Sequence, residues 1–394
     1  MIARAACAAL LFALTQGCVT DPTPERAISD GRYAMGTVLE IALEGLQPQP
    51  AARALDDLYE VARRLDRLFS IYEPESDISR LNRTAGQGRQ RVDSEVEEIL
   101  KLSIAYSELT RGAFDVTIRP VVELWMKAAD RGAPPTALEL AAARELVGSN
   151  RISVVSGGGV SLAEEGMRLD LGGVAKGYAL DRMLPLLERH GIESALLNFG
   201  QSSTWAVGAP AGSAGWRLLV RGPEGRFAGL ITLRDQALSF SESQGQGVEI
   251  GGRHYGHIIN PRSGQPLMRA RQAVVVSQRA SLAEALSLAL LVLDAETGLA
   301  LVAAQPDCEG LLIEGGGEFH STPGWAAAVR FEPLPKPDER RNRASPRRFP
   351  SPSQTRRNRA SRVGSPPQAG RGAIGPAPAP IQPPLYGRIA QAVL

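Results

Sequence analysis

The densest chemistry in the sequence lies at 169–181, Leu-Asp-Leu-Gly-Gly-Val-Ala-Lys-Gly-Tyr-Ala-Leu-Asp. An apolar stretch ends at Gly172 and Gly173, and a helix is predicted from Ala175. Paired glycines let backbone approach a ligand closely, and amides exposed at a helix start favour anionic oxygen, so a phosphate-bearing ligand fits here. Tight strand-to-helix packing explains the same glycines equally well. Lys176 adds a fixed positive charge. His257, one of 4 histidines, is a candidate proton acceptor at neutral pH or a hydrogen-bonding partner for a ligand. Tyr72 and Phe114 offer flat faces that stack on a ring system or simply fill a core. Asp115 and Asp170 offer carboxylates to donors on a ligand, and each also lies at a turn, where Asp is favoured for backbone reasons.

The elements that must hold these groups can be read from periodicity. Residues 37–46 partly alternate and predict a strand; Leu55, Leu58, Val61, Leu65 and Leu68 recur at helical spacing. A second helix is predicted from Asp93-Ser94, with Val96, Ile99 and Leu102 on its buried face. Short strands separated by Gly-rich turns are predicted at 151–155, 168–171, 194–197, 216–220 and 230–233, with further strands at 273–276 and 310–313. A helix from Ala175 toward His190 stops at Gly191. The expected class is α+β, a mixed β-sheet core flanked by helices.

In chain order, these motifs resemble those of the FAD:protein FMN transferases, the ApbE-like family. The residues that carry the resemblance are Met35-Gly-Thr, Phe69-Ser-Ile-Tyr72, Ser76-Asp-Ile-Ser-Arg-Leu-Asn82, Gly112-Ala-Phe-Asp-Val-Thr117, the 170–181 segment, Asn198-Phe-Gly200 and Tyr255-Gly-His-Ile-Ile-Asn-Pro-Arg-Ser-Gly264. The resemblance implies an ApbE-like fold over roughly 30–330 and an enzyme that moves FMN from FAD to a Thr or Ser hydroxyl of an acceptor flavoprotein, releasing AMP, with bound Mg2+. It implies that Met35, Tyr72, Ala113, Phe114, Asp115, Asp170, Lys176 and His257 line the FAD site, that His257 and Lys176 are catalytic, and that Gly173 faces the metal. Splitting a diphosphate gathers negative charge on oxygen, which a cation and a fixed lysine offset.

The pattern breaks at the second metal segment, where the family has an Asp followed four residues later by Thr; here the residues are Glu284 and Leu288. Leucine offers no ligand, whereas Glu284 reaches with a longer arm and water can replace a hydroxyl. Ser281-Leu-Ala-Glu284 ahead of an apolar run also reads as a capping box. Ser287 is a surrogate ligand, pointing about 100° away from Leu288 on a helix. Gln201 stands where the family has glycine, Phe240-Ser-Glu242 replaces its Thr-Ser-Gly, and Asn260 replaces an Asp. Two other readings therefore stand beside transfer: a Mg2+-dependent FAD pyrophosphatase yielding FMN and AMP, and a non-catalytic exported FAD-binding protein.

With 394 residues, 43% of them hydrophobic and 22% charged, the chain can bury a full core, and disorder throughout is excluded. Three cysteines, two of them near the start, provide no disulfide framework. The beginning, with Arg4, an apolar run and Thr15-Gln-Gly-Cys18, resembles a bacterial lipoprotein signal. This predicts a leader at 1–18, lipidation of Cys18, a linker at 19–30, the transferase domain at 31–332 and a membrane-anchored, periplasm-facing protein. Residues 333–394 are rich in Pro and Arg with almost no apolar periodicity and are expected to be a disordered tail. The net charge of +2 gives no ground for a nucleic-acid role.

Overall fold

In the computed structural model the described residues are 27–333, excepting 224 and 226. The expected leader, Cys18 and nearly all of the expected tail lie outside them. β1 (Ile28–Ala34) and β2 (Thr37–Leu43) open the fold as a hairpin. Its turn residues Met35 and Gly36 both have positive φ, 48° and 79°, as a two-residue turn matching the strand twist requires. β1 starts inside the segment expected as linker. As an edge strand it buries fully only Ala34, so its sequence carries little apolar signal.

α1 (Pro48–Phe69) buries Leu55, Leu58 and Leu65 as its periodicity predicted, with Val61 and Leu68 at the margin of the stripe. α2 (Asp77–Arg83) follows, and α3 (Ser94–Leu109) is capped by Asp93, which accepts from the Glu95 N–H. Next come α4 (Arg119–Arg131), α5 (Ala137–Glu145), the hairpin β3 (Ile152–Val155) with β4 (Gly159–Leu162), and α6 (Ala175–Arg189). Gly191 stops α6 at φ 67°. β5 (Ala195–Phe199), β6 (Ser203–Val207), β7 (Trp216–Arg221), β8 (Phe227–Leu233) and β9 (Gln236–Glu242) succeed one another. The hairpin β10 (Gly247–Ile250) and β11 (Arg253–Gly256) precedes β12 (Arg271–Ser277), α7 (Ala280–Val292) and α8 (Ala295–Ala303). β13 (Glu309–Glu314), β14 (Phe319–Ser321), α9 (Trp325–Ala328) and β15 (Arg330–Pro333) complete it.

The main sheet has eight strands in the order β1-β2-β5-β6-β9-β12-β13-β14. The class is α+β as expected, and every pairing in this sheet is antiparallel rather than mixed. α1, α6 and α7 pack on one face, where Ala273 and Val275 of β12 point; Val274 and Val276 point to the other face, covered by the small sheet β15-β8-β7 and Trp325. Burial on both faces explains the unbroken apolar run at 273–276. A third cluster joins Trp125 and Leu140 of α4 and α5 to Ile250 of β10.

The segment 168–171 is not a strand of any sheet. Arg168 makes an isolated parallel bridge to Ile118, and the Asn82 side-chain amide serves as partner to Leu169, donating to its carbonyl at 3.0 Å and accepting from its N–H at 2.6 Å. A side chain therefore satisfies backbone groups that a neighbouring strand would otherwise have taken.

Candidate active site

The Gly172-Gly173 turn connects that extended segment to α6. Asp170 shapes it: one carboxylate oxygen accepts from the Gly172 N–H at 2.9 Å, and the other meets Arg119 at 3.3 Å. Lys176, in the first turn of α6, places Nζ 3.5 Å from the Gly172 carbonyl and 3.6 Å from Oε1 of Glu284 on α7. α6 and α7 approach this closely because of Gly177, where a Cβ would stand 2.5 Å from the Ala280 backbone.

Glu284 is 4% exposed and sits inside α7, so the capping-box reading does not hold. Its Oε2 accepts from the Gly177 N–H at 2.8 Å and its Oε1 from the Ser203 hydroxyl of β6. The start of α7 is served instead by Asp181, which accepts from the Ala280 N–H at 2.7 Å, the Ser281 N–H at 3.0 Å and the Ser281 hydroxyl at 2.7 Å. Burial holds the Asp181 carboxyl above its ordinary pKa, and these hydrogen bonds offset only part of that rise. Asp181 and Ser203 are the residues sequence reasoning missed. For Ser203 the available signal was a hydroxyl in a strand whose neighbours are buried.

His257 follows β11 and stands within electrostatic reach of Lys176. The β10–β11 hairpin and the turn after it are docked on α4, where Trp125 packs on Tyr255 at 5.0 Å and donates to the Gly264 carbonyl at 2.8 Å. The residue is exposed to solvent, while the protein packed around its imidazole desolvates the ring. That crowding holds its pKa below the ordinary 6.5; Lys176 and His254 push the same way, against the raising effect of Gln246. Nδ1 lies 3.1 Å from the Gln246 carbonyl. A carbonyl only accepts, so Nδ1 carries the proton and Nε2 presents a lone pair.

The remaining expected residues divide. Tyr72 is exposed at 57%, and Met35 is held at the β1–β2 turn by its N–H bond to Asp66 at 3.0 Å. Ala113 and Phe114 are buried, and the Phe114 ring lies on the same side of Gly173 as Leu288, 3.4 Å from where a Cβ on that glycine would be. The Asp115 carboxylate is engaged within the protein. It accepts five hydrogen bonds, from the Thr117 N–H and hydroxyl, the Ser149 N–H and hydroxyl, and the Ser107 hydroxyl, which saturate its oxygens. Its part is to tie the loop after α3 to the segment before β3.

The expected metal set of Gly173, Glu284 and Ser287 does not fit Mg2+, which demands near-octahedral oxygen ligands. Glu284 is already engaged on both oxygens and ion-paired to Lys176. The Ser287 hydroxyl is turned into the sheet, 3.0 Å from Ser239 and 2.7 Å from Ser241, and donates to the Glu284 carbonyl. Leu288 lies over Gly173, with Cδ1 2.6 Å from where a Cβ on that glycine would be. A methyl group thus fills the space above the turn.

Comparison with known proteins agrees with this architecture. The ApbE family model matches residues 35–312. The chain is similar to the FAD:protein FMN transferase of Treponema pallidum (strain Nichols), 28% identical over 324 residues, covering 77% of this chain and 89% of that protein. It is likewise similar to the FAD:protein FMN transferase of Klebsiella pneumoniae (strain 342), 27% identical over 328 residues, 79% of this chain and 93% of that one. Among solved structures, the ApbE protein of Thermotoga maritima MSB8 superposes with a TM-score of 0.70 at 25% identity, covering 77% of this chain and all (100%) of that one. The match takes in the 170–181 turn, Lys176 and His257, and on that ground the chain belongs to the ApbE family.

Proposed function

We propose that this chain transfers FMN from FAD to a Thr or Ser hydroxyl of an acceptor flavoprotein, with release of AMP. The observation that carries the reading is His257, whose Nδ1 faces the Gln246 carbonyl and so leaves a lone pair on Nε2, within electrostatic reach of the Lys176 ammonium at the Gly172-Gly173 turn. The acceptor oxygen attacks the FMN-side phosphorus, and its proton passes to Nε2. The bond from that phosphorus to the bridging oxygen breaks, and AMP leaves with the oxygen and its electron pair. Lys176 and the turn amides offset charge that grows on the phosphate oxygens. Asp170 and Arg119 keep the turn in shape, and Tyr72 supplies a face for the flavin or adenine ring.

The family membership and the relatives' activity support transfer over hydrolysis. Incubating the protein with FAD, with and without an acceptor domain, separates the two. AMP released only when acceptor is present supports transfer; equal AMP and free FMN without acceptor reassigns the chain to FAD hydrolysis.

The start of the sequence supports a place outside the cytoplasm, anchored to the membrane by lipid on Cys18. Among the described residues no helix is long and apolar enough to cross a membrane. Cys18→Ser is expected to move the protein from the membrane to the soluble fraction of the cell envelope, and retention in the membrane would contradict lipid anchoring there.

A further inference from the structure

The misfit between Glu284, Ser287, Leu288 and a divalent cation has a positive side. A cation is already present in the site. The Lys176 ammonium is 3.6 Å from Glu284 Oε1 and 3.5 Å from the Gly172 carbonyl, where it contacts both the buried carboxylate and the Gly-rich turn. Glu284 is fixed in turn by the Gly177 N–H and the Ser203 hydroxyl, so the pair is anchored to α6, α7 and β6 together. A Mg2+ ion bound to the same carboxylate would stand against the ammonium at short range, and repulsion between a divalent and a monovalent charge in a partly desolvated site is severe. Leu288 removes the remaining ligand position and covers Gly173 with a methyl group.

We infer that Lys176, locked to Glu284, is the resident cation of this site and that the chain takes the FAD diphosphate without a bound divalent ion. The inference rests on the reading of the site as one for FAD. On binding, the diphosphate shares the ammonium with Glu284, whose own charge stays satisfied by Gly177 and Ser203. The site is therefore less positive than one built on a metal, and affinity for the diphosphate leans on the single lysine.

Two readouts test this on the full chain after treatment with chelator. Mn2+ is first titrated in without FAD, and the free ion is followed by electron paramagnetic resonance. The expected result is no saturable site up to roughly 1 mM Mn2+, the weak end of protein sites for divalent ions. One Mn2+ bound per chain at micromolar concentration, and lost in Glu284→Gln, would overturn the inference. The double substitution Glu284→Asp with Leu288→Thr draws the carboxylate back from the Lys176 ammonium and replaces the covering methyl group with a hydroxyl; once its circular dichroism matches the unsubstituted chain it is expected to gain a Mn2+ site, and a folded double variant that binds none would contradict the part given to Glu284 and Leu288. FAD binding is then read by flavin fluorescence in chelator. Lys176→Gln is expected to weaken it about tenfold, and unchanged affinity contradicts the role given to Lys176. An unsubstituted chain that binds no FAD would instead sink the functional reading, while the Mn2+ titration still decides the question of the ion.

Discussion

His257 is the residue on which proton transfer depends. His257→Ala is expected to lower the transfer rate by about 10²- to 10⁴-fold, the range for loss of a general base; near-normal turnover in single-turnover assays would reduce it to a binding residue. Its pH behaviour follows from the direction of its shift. The folded pKa lies below the ordinary 6.5, so the base form persists under mildly acidic conditions, and the acid limb of kcat/KM is expected below pH 6.5. An acid limb centred above 6.5 would contradict the crowding described. Stability runs with the same sign. It is full above 6.5 and falls as pH drops toward the folded pKa, because only the unfolded chain takes up the proton in that window. His257 and Lys176 stood out in the sequence because their neighbours carry the family's pattern. The network around the Asp115 carboxylate was not legible, because one of its main partners, Ser149, lies 34 residues away, beyond anything local spacing records.

At the scale of elements, the site depends on how closely α6 meets α7. A Cβ on Gly177 would reach 2.5 Å from the Ala280 carbonyl carbon and oxygen, so Gly177→Ala must push the helices apart. The substitution is expected to cost about 2–3 kcal/mol of stability by overpacking. It should weaken FAD binding too, since the Glu284 bond to the Gly177 N–H is strained with it; chemical denaturation with an unchanged midpoint would contradict this. The glycine was visible in the sequence, but its reason was not, because the contact is with a helix about a hundred residues later. Amphipathic α1 and α3 and the apolar run of β12 were read correctly, since burial on one or both faces writes a period into the sequence. β1 and the 168–171 segment were not. An exposed edge strand needs no apolar face, and the apolar run ahead of Gly172 finds its partner in the Asn82 side chain.

For the whole molecule, the described fold closes with β15 pairing along β8, from Arg330 opposite Thr232 to Pro333 opposite Gly229. Ending the chain after Pro333 is expected to leave the thermal midpoint unchanged. Ending it before Arg330 removes β15 with Phe331, which packs against the second core, and is expected to lower the midpoint by several degrees. Equal midpoints for the two truncations would contradict the place given to β15. The central claim is covalent transfer, and the most direct test is the mass of an acceptor flavoprotein domain after incubation with the full chain and FAD, followed by denaturation. The expected result is an acceptor carrying one FMN through a phosphoester bond, with an equal amount of AMP in solution. An unmodified acceptor beside free FMN and AMP would make the chain a hydrolase, and an unmodified acceptor beside intact FAD would make it a binding protein without catalysis.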